Sequence, residues 1–164
     1  MTETRQPLDQ ALEGVACAEA ASKAAALALC HNQVMAFYRD LDENRYEDLA
    51  GRLAPDGAWH RQGKVLDSRQ AVLDALASRS RTQRIHHLIV NLVADSQDEG
   101  HCRMRAYMLV LRHDTGSAPQ GPSPLTGIEN IRTLHIDLVR AGEAWLIKEM
   151  RGDAPTFAMP AAGA

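Results

Sequence analysis

The sequence lacks the features that mark nucleic-acid-binding, secreted and membrane-spanning proteins. Its 18 Lys and Arg residues are outnumbered by 21 Asp and Glu, which gives a net charge of −3. Nucleic-acid-binding domains usually carry a basic excess, so we expect no nucleic acid as a partner. No run approaches the ~20 apolar residues of a membrane span, and the start MTETRQPLDQ lacks the basic and apolar regions of a secretory signal. We therefore expect no membrane association.

Cysteine and aromatic side chains are also scarce. Cys17, Cys30 and Cys102 are the only cysteines and form no CxxC pair, so neither a disulfide framework nor a zinc knuckle is indicated. We expect a reduced, cytoplasmic setting. Aromatic residues make up 4% of the chain, which predicts a core of aliphatic side chains and alanine. The length of 164 residues fits one domain over 1–164, and the absence of a glycine-rich phosphate loop argues against a nucleotide-binding fold.

The first half of the sequence is patterned for helices. From Leu27 onwards, apolar residues recur at spacings of three and four, which predicts a helix that ends near residue 43. The pair Asn44 and Glu47 resembles an N-terminal capping box for a second, short helix. A third helix is predicted to begin at Asp67, with a short strand over 58–62 before it.

The second half is patterned for strands. Strands are predicted over 85–94, 101–112, 128–140 and 144–151, because β-branched and apolar residues dominate these stretches. The long connection at 114–127 is rich in Gly and Pro and is predicted to be a loop. Strands in series favour an antiparallel sheet with the helices on one side, an α+β fold. Residues 1–8 and 153–164 are predicted to be loose termini.

Histidine and carboxylate side chains are the candidates for chemistry. His86 and His87 are adjacent on a predicted strand, so their side chains point to opposite faces. The pattern leaves open which face lines a cavity, and a structural hydrogen bond is an alternative for either ring. Asp42 ends the first predicted helix, where a carboxylate opposes the helix dipole. It is either a surface acid or a residue placed there for another use.

Two further clusters leave alternatives open. His135 and Asp137 share a strand face and could join His87 as metal ligands, but no spacing here is diagnostic of a metal site. We therefore expect no metal and no cofactor. The run RSRTQR at 79–84 could contact an anion or form a solvated loop.

Four segments occur in an order that is typical of one family. They are FYRDLDENRYEDLAGRLAPDGAWHRQG, KVLDSRQAVLDALASRS, RIHHLIVN and LVRAGEAWLIKEMR, and the likeness that they mark covers roughly residues 25–152. In this order they resemble SnoaL-like members of the nuclear transport factor 2-like superfamily. One departure is the pair Asp67 and Ser68, which stands where the family usually has Gly-Arg.

The resemblance implies a curved antiparallel sheet that the N-terminal helices wrap into a cone around an apolar pocket. Dehydratase and dehydrochlorinase members use an Asp at the end of the first helix and a His at the start of a strand, positions that Asp42 and His87 match. His87 would be the general base and Asp42 would orient it. This implies a cofactor-independent lyase or isomerase (a dehydratase, isomerase or cyclase) for a small apolar molecule of polyketide, aromatic or steroid-like type. The residues predicted to contact substrate are Tyr38, Trp59, His60, Asn91, Tyr107 and His135.

A second branch of the same superfamily offers a non-catalytic alternative. The stretch LDENRYEDL also resembles the small subunits of aromatic-ring-hydroxylating dioxygenases. In that case the chain would be a structural partner of an oxygenase large subunit, or a ligand-binding module, and Asp42 and His87 would carry no chemistry. Superfamily members commonly dimerise through the sheet, so the resemblance also implies a homodimer.

Overall fold

The computed structural model describes residues 6–118 and 120–160, which form three helices and a seven-stranded sheet. The helices are α1 (Gln6–Asp42), α2 (Tyr46–Gly51) and α3 (Arg69–Ala77). The strands are β1 (Leu53–Arg61), β2 (Lys64–Leu66), β3 (Gln83–Gln97), β4 (His101–Asp114), β5 (Asn130–Ala141), β6 (Ala144–Gly152) and β7 (Phe157–Ala158). The predicted α+β class is confirmed. None of these three helices combines the length and apolarity needed to cross a membrane.

The sheet is mixed rather than purely antiparallel. Its strand order is β2-β1-β6-β5-β4-β3, with β7 added beside β5. Every neighbouring pair is antiparallel except β1 and β6, which run parallel. The prediction of an all-antiparallel sheet is wrong at this pair, because the chain passes from β1 to β6 through α3 and four intervening strands instead of a hairpin. Strands β2 and β7 were not predicted, since two or three residues are too few to show an alternating pattern.

Both ends of the described chain are more ordered than predicted. Helix α1 already begins at Gln6, so residues 6–8 are helical. Strand β7 pairs with Asn130 and Ile131 at the start of β5, so the segment 153–160 is not uniformly loose. The prediction of loose termini is wrong over these two stretches. Residues 1–5 and 161–164 lie outside the described residues.

Local hydrogen bonds start the short helices at other residues than predicted. The Ser68 side chain accepts the backbone N–H of Ala71 at 3.1 Å, so Ser68 rather than Asp67 caps α3. Asn44 does not cap α2. It adopts a left-handed φ of 58°, which turns the chain between α1 and α2, and its side chain accepts the Tyr46 hydroxyl at 2.7 Å.

The core lies between α1 and one face of the sheet. Helix α1 contributes the predicted stripe, and its residues Cys30, Val34, Phe37 and Leu41 are buried. Strand β4 contributes alternate residues from Cys102 to Val110. The aromatic residues meet here as well, since Phe37 packs edge-on against Trp59 and Tyr38 with ring centroids 5.1 and 5.4 Å apart.

A bulge changes which residues of β3 face the core. Ile85, His87 and Ile89 point inward, but the register with β4 shifts between Val90 and Val93. Asn91 adopts a φ of 53° within this bulge and is exposed. The inward positions beyond it are therefore the even-numbered ones, such as Leu92.

A buried ionic cluster fixes the last turns of α1 to the elements that follow. The Asp40 carboxylate is fully buried and accepts hydrogen bonds from Arg39, Arg45 and Arg52. Arg52 also donates to the Gln33 side chain at 2.9 Å. Burial alone would raise the pKa of Asp40, but the hydrogen bonds and charges of these guanidinium groups outweigh it and hold the pKa below its usual range. The cluster therefore fixes the helix end that carries Asp42.

Candidate active site

Asp42 and His87 form a close pair where the end of α1 meets the start of β3. The Nδ1 atom of His87 lies 2.6 Å from Oδ1 of Asp42, and the backbone N–H of His87 donates to Oδ2 at 2.7 Å. Both side chains are largely buried, with 10% and 12% of the side-chain surface exposed. The carboxylate therefore holds both the backbone and the ring of the same residue.

The two bonds determine which ring nitrogen of His87 is available. An ionised carboxylate is only an acceptor, so Nδ1 must carry the proton that Asp42 accepts. The remaining nitrogen, Nε2, then has a free lone pair, and the ring lines the main cavity. His86 points to the other face and is exposed, with Nδ1 3.8 Å from the Asp42 carboxylate. The choice between the two histidines, open from sequence, therefore falls on His87.

A hydrogen bond from Arg79 and a turn at Asn44 hold the end of α1 in place beside β3. The side chain of Arg79, which follows α3, donates to the backbone carbonyl of Leu41. This hydrogen bond satisfies one of the carbonyl groups that a helix leaves free at its C-terminus. The chain then reverses at Asn44, and Asp42 faces the strand rather than solvent. A helix-terminal carboxylate thus becomes the partner of a histidine 45 residues later.

The cavity in front of His87 has the size of a small-molecule site. Its volume is about 630 Å³, within the range of about 300–1,000 Å³ that is usual for ligand pockets. Tyr38, Trp59 and His60, all predicted to contact substrate, line it. His60 also contacts Glu149 at 2.9 Å. Asp42 lies behind the ring, beside a second cleft of about 270 Å³.

Tyr38, which also lines the cavity, carries a further polar group, its hydroxyl. Its ring centroid lies 5.4 Å from that of His87, and its hydroxyl donates to the sulfur of Met150 at 3.2 Å. A thioether is a weak acceptor, so a ligand oxygen could replace it at little cost. Burial raises the pKa of Tyr38 well above its ordinary value, although the charge of Arg132 opposes this rise. The hydroxyl is therefore a neutral donor at working pH.

Three other predicted substrate contacts lie away from the cavity. Asn91 is turned outward by the β3 bulge. Tyr107 is on the outer face of β4 and 49% exposed. His135 is on the outer face of β5, where Nε2 lies 2.9 Å from the Asp153 carboxylate. These three assignments are wrong. The bulge breaks the alternation at Asn91, and the pairing of β4 and β5 gives the inner face to even-numbered residues such as Leu134.

The same pairing separates the proposed metal ligands. His87 faces the cavity, whereas His135 and Asp137 point to the opposite face of the sheet, where Asp137 accepts Arg103 at 2.9 Å. Within residues 6–118 and 120–160, no group of three His, Cys, Asp or Glu side chains is arranged to hold a metal ion. The three residues of the metal hypothesis therefore do not converge.

The cavity is also less apolar than predicted. Apolar side chains such as Met108 and Val110 share its wall with several arginines that were not among the candidates. Arg112 and Arg132 lie on the inner face of β4 and β5, and Arg61 ends β1. Arg112 and Arg132 each lie an even number of positions from the buried residues of their strands. This spacing could have identified them if the inner face of the sheet had been known. Arg79 belongs to the run 79–84, for which anion contact was one of the two alternatives.

Comparisons with known proteins agree with this architecture. Residues 19–151 match the profile of the SnoaL-like domain family. Hexachlorocyclohexane dehydrochlorinase LinA-type3 from Novosphingobium barchaimii is similar in structure, with a TM-score of 0.68, 17% identity, and coverage of 85% of this chain and 92% of that chain. ActVI-ORFA from Streptomyces coelicolor has a TM-score of 0.63 and 16% identity, covering 77% of this chain and 95% of its own. A Catenulispora acidiphila protein has a TM-score of 0.64 and 22% identity, and the match covers 80% of this chain and 93% of that chain. No curated protein matches the sequence.

Proposed function

The chain belongs to the SnoaL-like domain family, and from that premise we propose that it is an acid–base enzyme acting on a small molecule. His87 is the general base and Asp42 its orienting partner. The reaction is a dehydration, another elimination, an isomerisation or a cyclisation, each of which begins with removal of a proton from carbon. The chain's own side chains supply the proton transfer in this proposal.

One observation carries the proposal. The His87 ring is held by a carboxylate at 2.6 Å on one nitrogen, and the same ring lines a cavity of about 630 Å³. Histidine changes charge near neutral pH, which suits a general base. A purely structural histidine has no need of a ligand-sized space on its free side. The pair also needs no further residue to fix the tautomer, because the backbone N–H of His87 already orients the carboxylate.

The geometry supports the following steps. Nε2 of His87 takes a proton from a carbon next to a carbonyl group, or from a carbon adjacent to the one that bears a leaving group. The electron pair of the broken C–H bond moves onto the carbonyl oxygen as an enolate, or forms a C=C bond as the leaving group departs. Asp42 stabilises the resulting imidazolium through the bond to Nδ1–H. The neutral Tyr38 hydroxyl and the nearby Arg132 guanidinium stabilise negative charge on oxygen.

The proposal can be tested without knowing the natural substrate. A panel of carbonyl compounds is incubated in D₂O, and mass spectrometry follows deuterium incorporation at the acidic carbon. Hexachlorocyclohexane, read as chloride release, extends the panel to elimination. We expect at least one compound to react with the native protein and not with His87→Gln. The matched control is His135→Gln, which alters a histidine–carboxylate pair on the outer face. Equal exchange by the native protein and His87→Gln would contradict the role of His87.

The assembly and location of the enzyme are part of the proposal. We propose a homodimer formed through the outer face of the sheet, where Leu88, Val90, Val93 and Tyr107 are large, exposed and apolar. The three free cysteines fit a reducing, cytoplasmic environment. Co-purification with an oxygenase large subunit, together with no turnover of any panel compound, would instead favour the non-catalytic alternative.

A further inference from the structure

The cavity around His87 is far more positive than the chain as a whole. Five cationic side chains line it, namely Arg61, Lys64, Arg79, Arg112 and Arg132. Glu129 is the only carboxylate among its described lining residues. The complete chain has a net charge of −3, so the positive charge is concentrated at this site. A cavity for an uncharged apolar molecule does not need such an excess.

The positive groups lie close to the proposed base. In the register of the sheet, His87 is opposite Val110, and Arg112 is the next inward residue on β4. The Cα atom of Arg112 is therefore displaced from that of His87 by about 5 Å across the sheet and by about 7 Å along the strand. Arg132 lies two strands from His87 on β5, opposite Met108. A ligand of a few ångströms can reach Nε2 of His87 and a guanidinium group at once.

Most of these cations have no carboxylate partner within the part of the chain that is described. Arg112 pairs with Glu129 at 2.8 Å. Arg61 donates to the Gln62 side chain, Arg79 to the carbonyl of Leu41, and Arg132 to the side chain of Asn130. A guanidinium group has five N–H donors, so each keeps several for a ligand.

Three of the lining cations, Arg61, Arg79 and Arg112, are called the arginine cluster below. Burial, followed by the charges of Arg79 and Arg112, lowers the pKa of the Arg61 guanidinium. Arg61 is half-buried and stacks on the Trp59 ring, with Cζ 5.5 Å from the ring centroid. This fixes it in the cavity instead of leaving it free to extend into solvent. Three arginines that line one cavity, with a single carboxylate paired to Arg112 alone, form a site that a bound anion would stabilise.

We infer that the substrate is an organic anion whose carboxylate or phosphate group binds the arginine cluster while its reacting carbon lies over His87. Guanidinium groups bind both oxyanions through paired N–H donors. The inference rests on the proposed function, because it names the class of substrate for the same cavity. It also replaces the apolar substrate expected from the resemblance, since a neutral hydrocarbon-like molecule would leave the cluster without a partner.

Equilibrium binding of simple probes tests the inference. The probes are benzoate, phenyl phosphate and the neutral benzamide, which has nearly the shape of benzoate. Binding is followed by the indole N–H signal of Trp59 in ¹H–¹⁵N spectra, assigned with Trp59→Phe. The test variant is Arg61→Gln. The control is Arg103→Gln, which removes the same charge from the outer face of β4, where Arg103 pairs with Asp137.

We expect the anions to bind at least tenfold more tightly than benzamide, and Arg61→Gln to remove most of that difference while Arg103→Gln keeps it. The tighter of benzoate and phenyl phosphate identifies the oxyanion. Equal binding of benzoate and benzamide, or no saturable anion binding with a Kd below about 10 mM, would overturn the inference. An unchanged affinity in Arg61→Gln would overturn it too. Because binding is read at equilibrium, these results do not depend on whether His87 acts as a base, which the deuterium assay decides separately.

Discussion

Replacing Asp42 with asparagine should reverse the tautomer of His87. In the native protein one carboxylate oxygen accepts the backbone N–H of His87 and the other accepts its ring Nδ1–H. Asparagine offers one oxygen and one NH₂ group. The backbone N–H can only donate, so it keeps the oxygen, and the NH₂ group then faces Nδ1. Only a ring protonated on Nε2 can accept that bond, so the lone pair moves from the cavity side to Nδ1.

The size of the effect follows from the same two bonds. A hydrogen bond to a charged group contributes about 1.5–3 kcal/mol and a neutral one about 0.5–1.5 kcal/mol. Both bonds change from charged to neutral in a site where only 10% of the Asp42 side chain is exposed. We expect Asp42→Asn to lower the free energy of unfolding by about 2 kcal/mol. Turnover should fall by about 10⁴-fold, as when the orienting aspartate of a serine-protease triad is replaced by asparagine.

Long-range ¹H–¹⁵N spectra of histidine-labelled protein measure the tautomer directly and need no substrate. His87→Gln assigns the His87 signals. Native protein above neutral pH should show His87 protonated on Nδ1, and Asp42→Asn should show it protonated on Nε2. The control is Asp153→Asn, which changes the partner of His135 on the outer face and should leave His87 unaltered. Retention of the Nδ1–H form in Asp42→Asn would refute the argument that the carboxylate sets the tautomer.

Three further predictions concern stability and assembly. Asp40→Asn should lower the free energy of unfolding by about 3 kcal/mol, because it breaks a buried ionic cluster. Since the pKa of Asp40 is depressed in the folded state, its ionised carboxylate stabilises the native protein fully above about pH 4, and this stabilisation is lost at lower pH. In urea titrations the free energy of unfolding of Asp40→Asn should therefore fall less on acidification than that of the native protein. Gly57→Ala should lower the free energy of unfolding by about 1–3 kcal/mol, because a Cβ at this position would lie 2.7 Å from the Ile147 carbonyl oxygen. The control is Gly51→Ala, where a Cβ would have no atom within 4 Å, and thermal melts should show it to be neutral or stabilising. Val90→Glu should give monomers in light scattering if the exposed sheet face is the dimer interface, and an unchanged mass would exclude it.

The sequence predicted the long elements because their patterns repeat. The stripe from Cys30 to Leu41 covers several turns of α1, and β4 alternates over 14 residues. The parts that were missed depend on contacts between distant segments. The parallel pairing of β1 with β6 joins residues about 90 positions apart, such as Trp59 and Met150, and no local pattern encodes it. Strands of two or three residues, such as β7, exist only because a longer strand is present to pair with.

The candidate site shows the same division between local and distant information. Asp42 and His87 could be predicted because each occupies a recognisable position at the end of an element, and matched positions in a known family. Asn91 was assigned wrongly because one bulge residue reverses the inward face of β3, and a bulge has no dependable sequence pattern.

The arginine cluster was missed for a related reason. Arg61, Arg79 and Arg112 come from three separate segments, and each alone reads as an ordinary surface cation. Folding brings them into the lining of the cavity that Tyr38 and His87 also line. In the proposed function the Asp42–His87 pair moves a proton, and in the inference drawn from the arginine cluster the charge of the cavity wall selects which molecules bind. A single charge-neutralising change in that wall should therefore alter which molecules bind while leaving the 2.6 Å contact between Asp42 and His87 intact.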